Sequence, residues 1–103
     1  MNILSNEQFT SLINSPLAIG FFSTANCGVC KSIEPKLALL QQHYPQIPFG
    51  KIDLELLPFV RGQWLVFSVP TIILFQDGKE IKRQSRFIDL AQLKTIINQY
   101  LQK

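Results

Sequence analysis

Long apolar runs are missing from this chain, and so is any dense cluster of charge. The longest apolar run near the start, Leu17 to Phe22, falls far short of the roughly 20 residues a helix needs to span a bilayer, so no membrane partner is expected. Met1-Asn2-Ile3-Leu4-Ser5 has no positively charged head, and no apolar stretch follows it to serve as a secretory signal. The expected location is the cytoplasm. The net charge is +3, and the nearest approach to a basic run is Lys82-Arg83 with Arg86 three residues on. A nucleic-acid binder of this size would carry a basic stripe with aromatic residues between the charges, so no nucleic-acid partner is expected either. Internal repeats, low-complexity tracts and linkers are absent as well. Cysteine is scarce, with two residues, and His43 is the one other soft metal ligand.

What is present suffices for a core. Of 103 residues, 47% are apolar and 17% charged, a balance that supports one compact unit over residues 1–103 without disulfide staples. Ser5-Asn6-Glu7-Gln8 reads as a capping box, and Phe9, Leu12 and Ile13 give the following turns an apolar face. The pattern predicts a helix from about Ser5 to Asn14, ended by Pro16. Leu17 to Phe22 reads as a strand buried on both faces. Cys27-Gly28-Val29-Cys30 opens a helix whose core stripe is Ile33, Leu37, Leu40 and Tyr44, with Pro35 inside removing one backbone donor and kinking it. Phe49 to Asp53 is a second strand, and Pro58 suits the first turn of a helix ending near Trp64. Val69 to Phe75 is a β-branched strand, Asp77-Gly78 signals a hairpin, and Glu80 to Phe87 returns as its partner. Asp89 caps a last helix carrying Leu90, Leu93, Ile96, Ile97 and Tyr100. The order αβαβαββα implies an α/β fold: a mixed sheet of about four strands with helices on both faces.

The spacing of Cys27 and Cys30 calls for a chemical explanation, because a reducing compartment does not maintain structural staples. Positions three apart on a helix lie one above the other, within the separation a disulfide tolerates. At the helix start, Cys27 faces unpaired backbone N–H groups and the positive end of the helix dipole, and both favour thiolate, the nucleophile of disulfide exchange. Cys30, one turn deeper, suits resolving rather than attacking. Gly28 leaves room for a partner chain. A metal reading competes: zinc wants four ligands, and Cys27, Cys30 and His43 cannot close such a site alone, although a dimer sharing a metal or an iron–sulfur cluster could. Two inert buried cysteines would not need the glycine between them.

Cys27-Gly28-Val29-Cys30 after a buried strand, Val69-Pro70-Thr71 about forty residues later, and Asp77-Gly78-Lys79 after the next strand together resemble the thioredoxin family. The resemblance covers essentially the whole chain, including Pro35 and Lys51. It implies the thioredoxin fold and a protein-disulfide oxidoreductase, with Cys27 attacking, Cys30 resolving, and Pro70 in a cis bond facing the dithiol. Val69 would then turn its backbone outward to pair with an extended substrate strand, and Gly28, Val29, Val69, Pro70 and Arg86 would form the substrate groove. It implies no metal and no organic cofactor. The substrate would be a disulfide-containing protein or a small thiol, the electron donor a disulfide reductase or a low-molecular-weight thiol, and the protein a monomer. A non-catalytic binding module on the same fold, or a metal- or cluster-bridged dimer, is the alternative.

The chain departs from the family pattern at several positions. Asn26 stands where the family has tryptophan, Val29 where it has proline, and Arg86 where it has glycine. Phe21 replaces a buried aspartate that serves as a base for the second cysteine, leaving Lys51 without that partner. Glu34, four residues after Cys30, and Lys51 are then the residues that could move the Cys30 proton. Trp64 reads as packing, and His43 as a solvated helix end.

Overall fold

The computed structural model describes residues 2–102, so Met1 and Lys103, the ends of the expected unit, lie outside the described residues. In chain order the elements are β1 (Asn2–Ile3), α1 (Asn6–Ile13), β2 (Ala18–Ser23), α2 (Gly28–Gln42), β3 (Phe49–Asp53), α3 (Pro58–Gln63), β4 (Thr71–Gln76), β5 (Lys79–Ser85) and α4 (Leu90–Leu101). One sheet takes the strands in the order β1-β3-β2-β4-β5. The pairs β1–β3 and β2–β3 are parallel, and β2–β4 and β4–β5 are antiparallel. The fold class holds, with five strands among the described residues rather than about four. The added strand, β1, is two residues long, too short to show a period-two pattern.

Alternation along the two central strands assigns the helices to their faces. Phe22, Ile73 and Phe75 point to one side and meet Phe9, Leu12 and Val60 from α1 and α3. Ile19, Phe21, Ile72 and Leu74 point to the other and meet Leu37, Leu40, Leu93 and Ile97 from α2 and α4. All six residues of β2 are buried, as expected of a strand covered on both faces. Tyr44, just past α2, ties the second layer together: its hydroxyl donates to Asn98 Oδ1 at 2.6 Å, and burial pushes its phenol above the ordinary 10.0.

The caps follow the sequence closely. Ser5 Oγ accepts from the Gln8 backbone N–H at 3.1 Å, while Gln8 Oε1 accepts from Leu4 N–H one residue earlier than a standard capping box. Asp89 caps α4 by accepting from Gln92 N–H at 3.0 Å. Helix α2 continues through Pro35 to Gln42. The hairpin turn has Asp77 at φ 51° and Gly78 at φ 85°, the paired positive values that suit a two-residue connection between twisted strands.

Candidate active site

Cys27 stands at the N-cap of α2, and its Sγ accepts a hydrogen bond from the Cys30 backbone N–H at 3.1 Å. A sulfur here meets one of the helix's unpaired amides and its positive end, a setting that favours sulfur carrying negative charge once the pair is reduced. The two cysteines are joined as a disulfide with Cα atoms 5.2 Å apart. Their exposures differ: Cys30 is 3% exposed, Cys27 is half-buried, and Gly28 and Val29 are exposed beside it. A Cβ added at Gly28 would meet nothing within 4 Å, so the protein's own packing does not require glycine there.

Strand register brings the proline to the same end of the sheet. In the antiparallel β2–β4 pair, Phe22 faces Thr71, so Pro70 lies beside the end of β2, from which the chain leads into Cys27. The Val69–Pro70 bond is cis, as the resemblance implied. Cys27 and Val69 both pack against the buried cluster that holds Cys30. Arg86 closes the neighbourhood: its backbone N–H donates to the Pro70 carbonyl at 2.8 Å. Its φ is 68°, a left-handed conformation that is easy for glycine and costly for an arginine. The Arg86 side chain is exposed and forms no ion pair among the described residues.

Lys51 and Glu34 meet elsewhere, on the layer between α2 and β3. Lys51 is the register partner of Phe21, and its Nζ lies 2.8 Å from Glu34 Oε1. Lys51 therefore has a carboxylate partner after all, supplied by the helix instead of the neighbouring strand. Phe21, Glu34, Leu37, Ala38, Gly50 and Lys51 line a small cleft of about 160 Å³ there.

Two sequence assignments hold, and the exposure of two aromatics near Pro70 and Arg86 was missed. Trp64 stacks edge-to-face on Phe75 at 5.2 Å and Phe9 at 6.1 Å, a packing role. His43 is exposed at the end of α2. Phe67 is 67% exposed and Phe87 90% exposed, flanking Pro70 and Arg86 in the chain. The sequence reading puts Phe87 at the end of the returning strand, but β5 stops at Ser85, which leaves Phe87 outside the ladder. Among the described residues no group of three or more His, Cys, Asp or Glu residues could hold a metal ion, and no helix is long and apolar enough to cross a membrane.

The thioredoxin family model matches residues 1–99. Thioredoxin of Chlamydia trachomatis is 34% identical over 100 residues, covering 97% of this chain and 98% of that protein. Thioredoxin of Chlamydia caviae is 35% identical over the same share of each. Among solved structures, thioredoxin of Plasmodium falciparum aligns with a TM-score of 0.86 at 26% identity, covering 96% of this chain and 97% of that one. Fasciola hepatica thioredoxin aligns at 0.85, again with 26% identity and the same coverage. The fold, together with a C-x-x-C disulfide at a helix start, defines a thiol–disulfide oxidoreductase. The chain belongs to the thioredoxin family, and disulfide substrates and reductase partners in general come with that membership.

Proposed function

We propose that the protein reduces disulfides with Cys27 as nucleophile and Cys30 as resolving thiol. The Cys27 thiolate attacks one sulfur of the substrate disulfide, and the other sulfur leaves as a thiolate and takes up a proton. Cys30 then gives up its proton and attacks Cys27 Sγ. The second substrate thiol departs, the Cys27–Cys30 disulfide forms, and two electrons have passed to the substrate. The observation that carries this division of labour is the hydrogen bond from Cys30 N–H to Cys27 Sγ. It identifies Cys27 as the sulfur capping the helix, while Cys30 is 3% exposed.

Gly28, Val29, Val69, Pro70 and Arg86 form the substrate groove in this reading. The exposure of Gly28 and Val29 and the Arg86–Pro70 hydrogen bond support it. Lys51 and Glu34 carry the proton of Cys30, supported by their 2.8 Å pairing one helical turn beyond that residue and by the ring of Phe21, which cannot accept a proton. Electrons return from a disulfide reductase or a low-molecular-weight thiol. The protein acts as a cytoplasmic monomer, one unit over residues 1–103.

Alkylation of the reduced protein at neutral pH, read by mass spectrometry, should label Cys27 first. Cys27→Ser should abolish reduction of insulin, and Cys30→Ser should accumulate mixed disulfides. First labelling at Cys30, or insulin reduction by Cys27→Ser, would overturn the assignment. A fully inactive wild type would leave only a binding module.

A further inference from the structure

We propose that Arg83, braced by Glu80, is a positioning residue for the segment Leu65–Pro70, and through it sets the affinity for protein disulfides. The proposal rests on the reading of Val69 and Pro70 as part of the substrate groove. Residues three apart on a regular strand face opposite ways, so Glu80 and Arg83 should not meet. They do, because β5 carries a bulge. Lys82 faces Leu74 and Glu80 faces Phe75, leaving Ile81 without a counterpart on β4, and the extra residue resets the alternation. Arg83 Nε then donates to Glu80 Oε2 at 2.8 Å, and Nη2 donates to Oε1 at 2.7 Å. This is the two-point fork that suits a guanidinium and a carboxylate.

The remaining donors of Arg83 reach across to the end of α3. Arg83 faces Ile73 in the register, and Ile73 belongs to the layer covered by α1 and α3. Nη2 donates to the Trp64 carbonyl at 2.7 Å and Nη1 to the Leu65 carbonyl at 2.9 Å. These are carbonyls of a helix end that needs help. Val66 N–H closes back on the Arg61 carbonyl at 2.9 Å, with Leu65 between at φ 54°. That left-handed position usually belongs to glycine, and Leu65 is 65% exposed there.

From Leu65 the chain needs only four residues to reach Pro70. Its far end is tied by Thr71 Oγ1 donating to the Ser68 carbonyl at 2.7 Å, and by Arg86 N–H on the Pro70 carbonyl. Arg83 supplies the tether at the near end. Glu80 holds the guanidinium plane in the one orientation that serves both carbonyls. Neither side chain needs to touch the substrate for this effect.

The test compares wild type, Arg83→Gln, Arg83→Lys and Glu80→Gln, each first shown to be folded by circular dichroism. Arg83→Gln should speed amide hydrogen exchange at Val66, the amide of this stretch whose N–H is bonded, closing on the Arg61 carbonyl. Arg83→Gln should also raise the KM for insulin by about three- to tenfold, the size expected for losing charge-assisted hydrogen bonds, with kcat and the rate on a small aromatic disulfide unchanged. Arg83→Lys should behave like Arg83→Gln, since an ammonium keeps the charge but cannot make the fork. Glu80→Gln should move both readouts in the same direction by less. Full rescue by lysine, or an equal loss on the small disulfide, overturns the proposal. Unchanged exchange in Arg83→Gln overturns the brace itself, whereas faster exchange with an unchanged KM overturns the proposal by way of the groove reading.

Discussion

Lys51 on β3 and Glu34 on α2 meet at 2.8 Å and share a cleft with Phe21, the register partner of Lys51. Both charged side chains are about two-fifths exposed, 39% and 44%, so the pair stabilises the fold by no more than about 1 kcal/mol. Its value lies elsewhere: it supplies a carboxylate to the layer in which the strand itself offers only an aromatic ring.

Glu34→Gln separates these roles. Thermal stability should fall by less than about 1 kcal/mol, while the mixed disulfide on Cys27 should persist several-fold longer. Rapid-quench single-turnover experiments measure that lifetime. A lifetime equal to wild type would remove Glu34 from the proton path.

Phe21→Asp tests the same step from the strand. Phe21 is 2% exposed, so the substitution should cost about 3–5 kcal/mol in lost packing and a buried charge. In the folded fraction, resolution by Cys30 should speed up. Single-turnover rates taken well below the variant's unfolding midpoint measure this, and an unchanged rate would rule out the missing strand carboxylate as the limit.

Arg86 offers a stability prediction independent of mechanism. An L-residue at φ 68° pays on the order of 1–2 kcal/mol, and glycine would escape this while giving back part of it as unfolded-chain entropy. Arg86→Gly should therefore stabilise by about 0.5–1 kcal/mol in urea unfolding, and Arg86→Ala should not. Equal midpoints for the two variants would contradict the strain.

Much of this architecture was legible in the sequence because its signals are local. Ser5 and Asp89 are cap residues at their caps, Asp77-Gly78 is a turn dipeptide at its turn, and the cysteine spacing fits one helical turn. The missed features depend on distant parts of the chain or lack a residue marker. The Ile81 bulge leaves no trace in alternation, so the meeting of Glu80 and Arg83 could not be read. Lys51 finds Glu34 only because β3 packs under α2. Left-handed positions are usually recognisable as glycine, and here Leu65 and Arg86 occupy two of them.

Tyr44 gives a pH dependence. Its folded pKa is raised by burial above 10.0, so the folded state holds the phenolic proton more tightly. That contribution to stability is full below about pH 10 and is lost as pH rises through the folded value. Tyr44→Phe should cost about 0.5–1.5 kcal/mol at neutral pH through the lost bond to Asn98, and should lose less stability than wild type between about pH 9.5 and 11. Urea midpoints at both ends of that range measure the difference. Parallel curves would contradict a raised Tyr44.

The single tryptophan of the chain, Trp64, packs with Phe9 and Phe75 against the α1–α3 layer. The dithiol belongs to the α2–α4 layer, with the sheet between them. Indole emission is therefore a gauge of the packing of the α1–α3 half of the molecule. An experimenter following this protein by fluorescence watches the packing of that layer unfold, and reads the redox state of Cys27 and Cys30 directly by counting thiols.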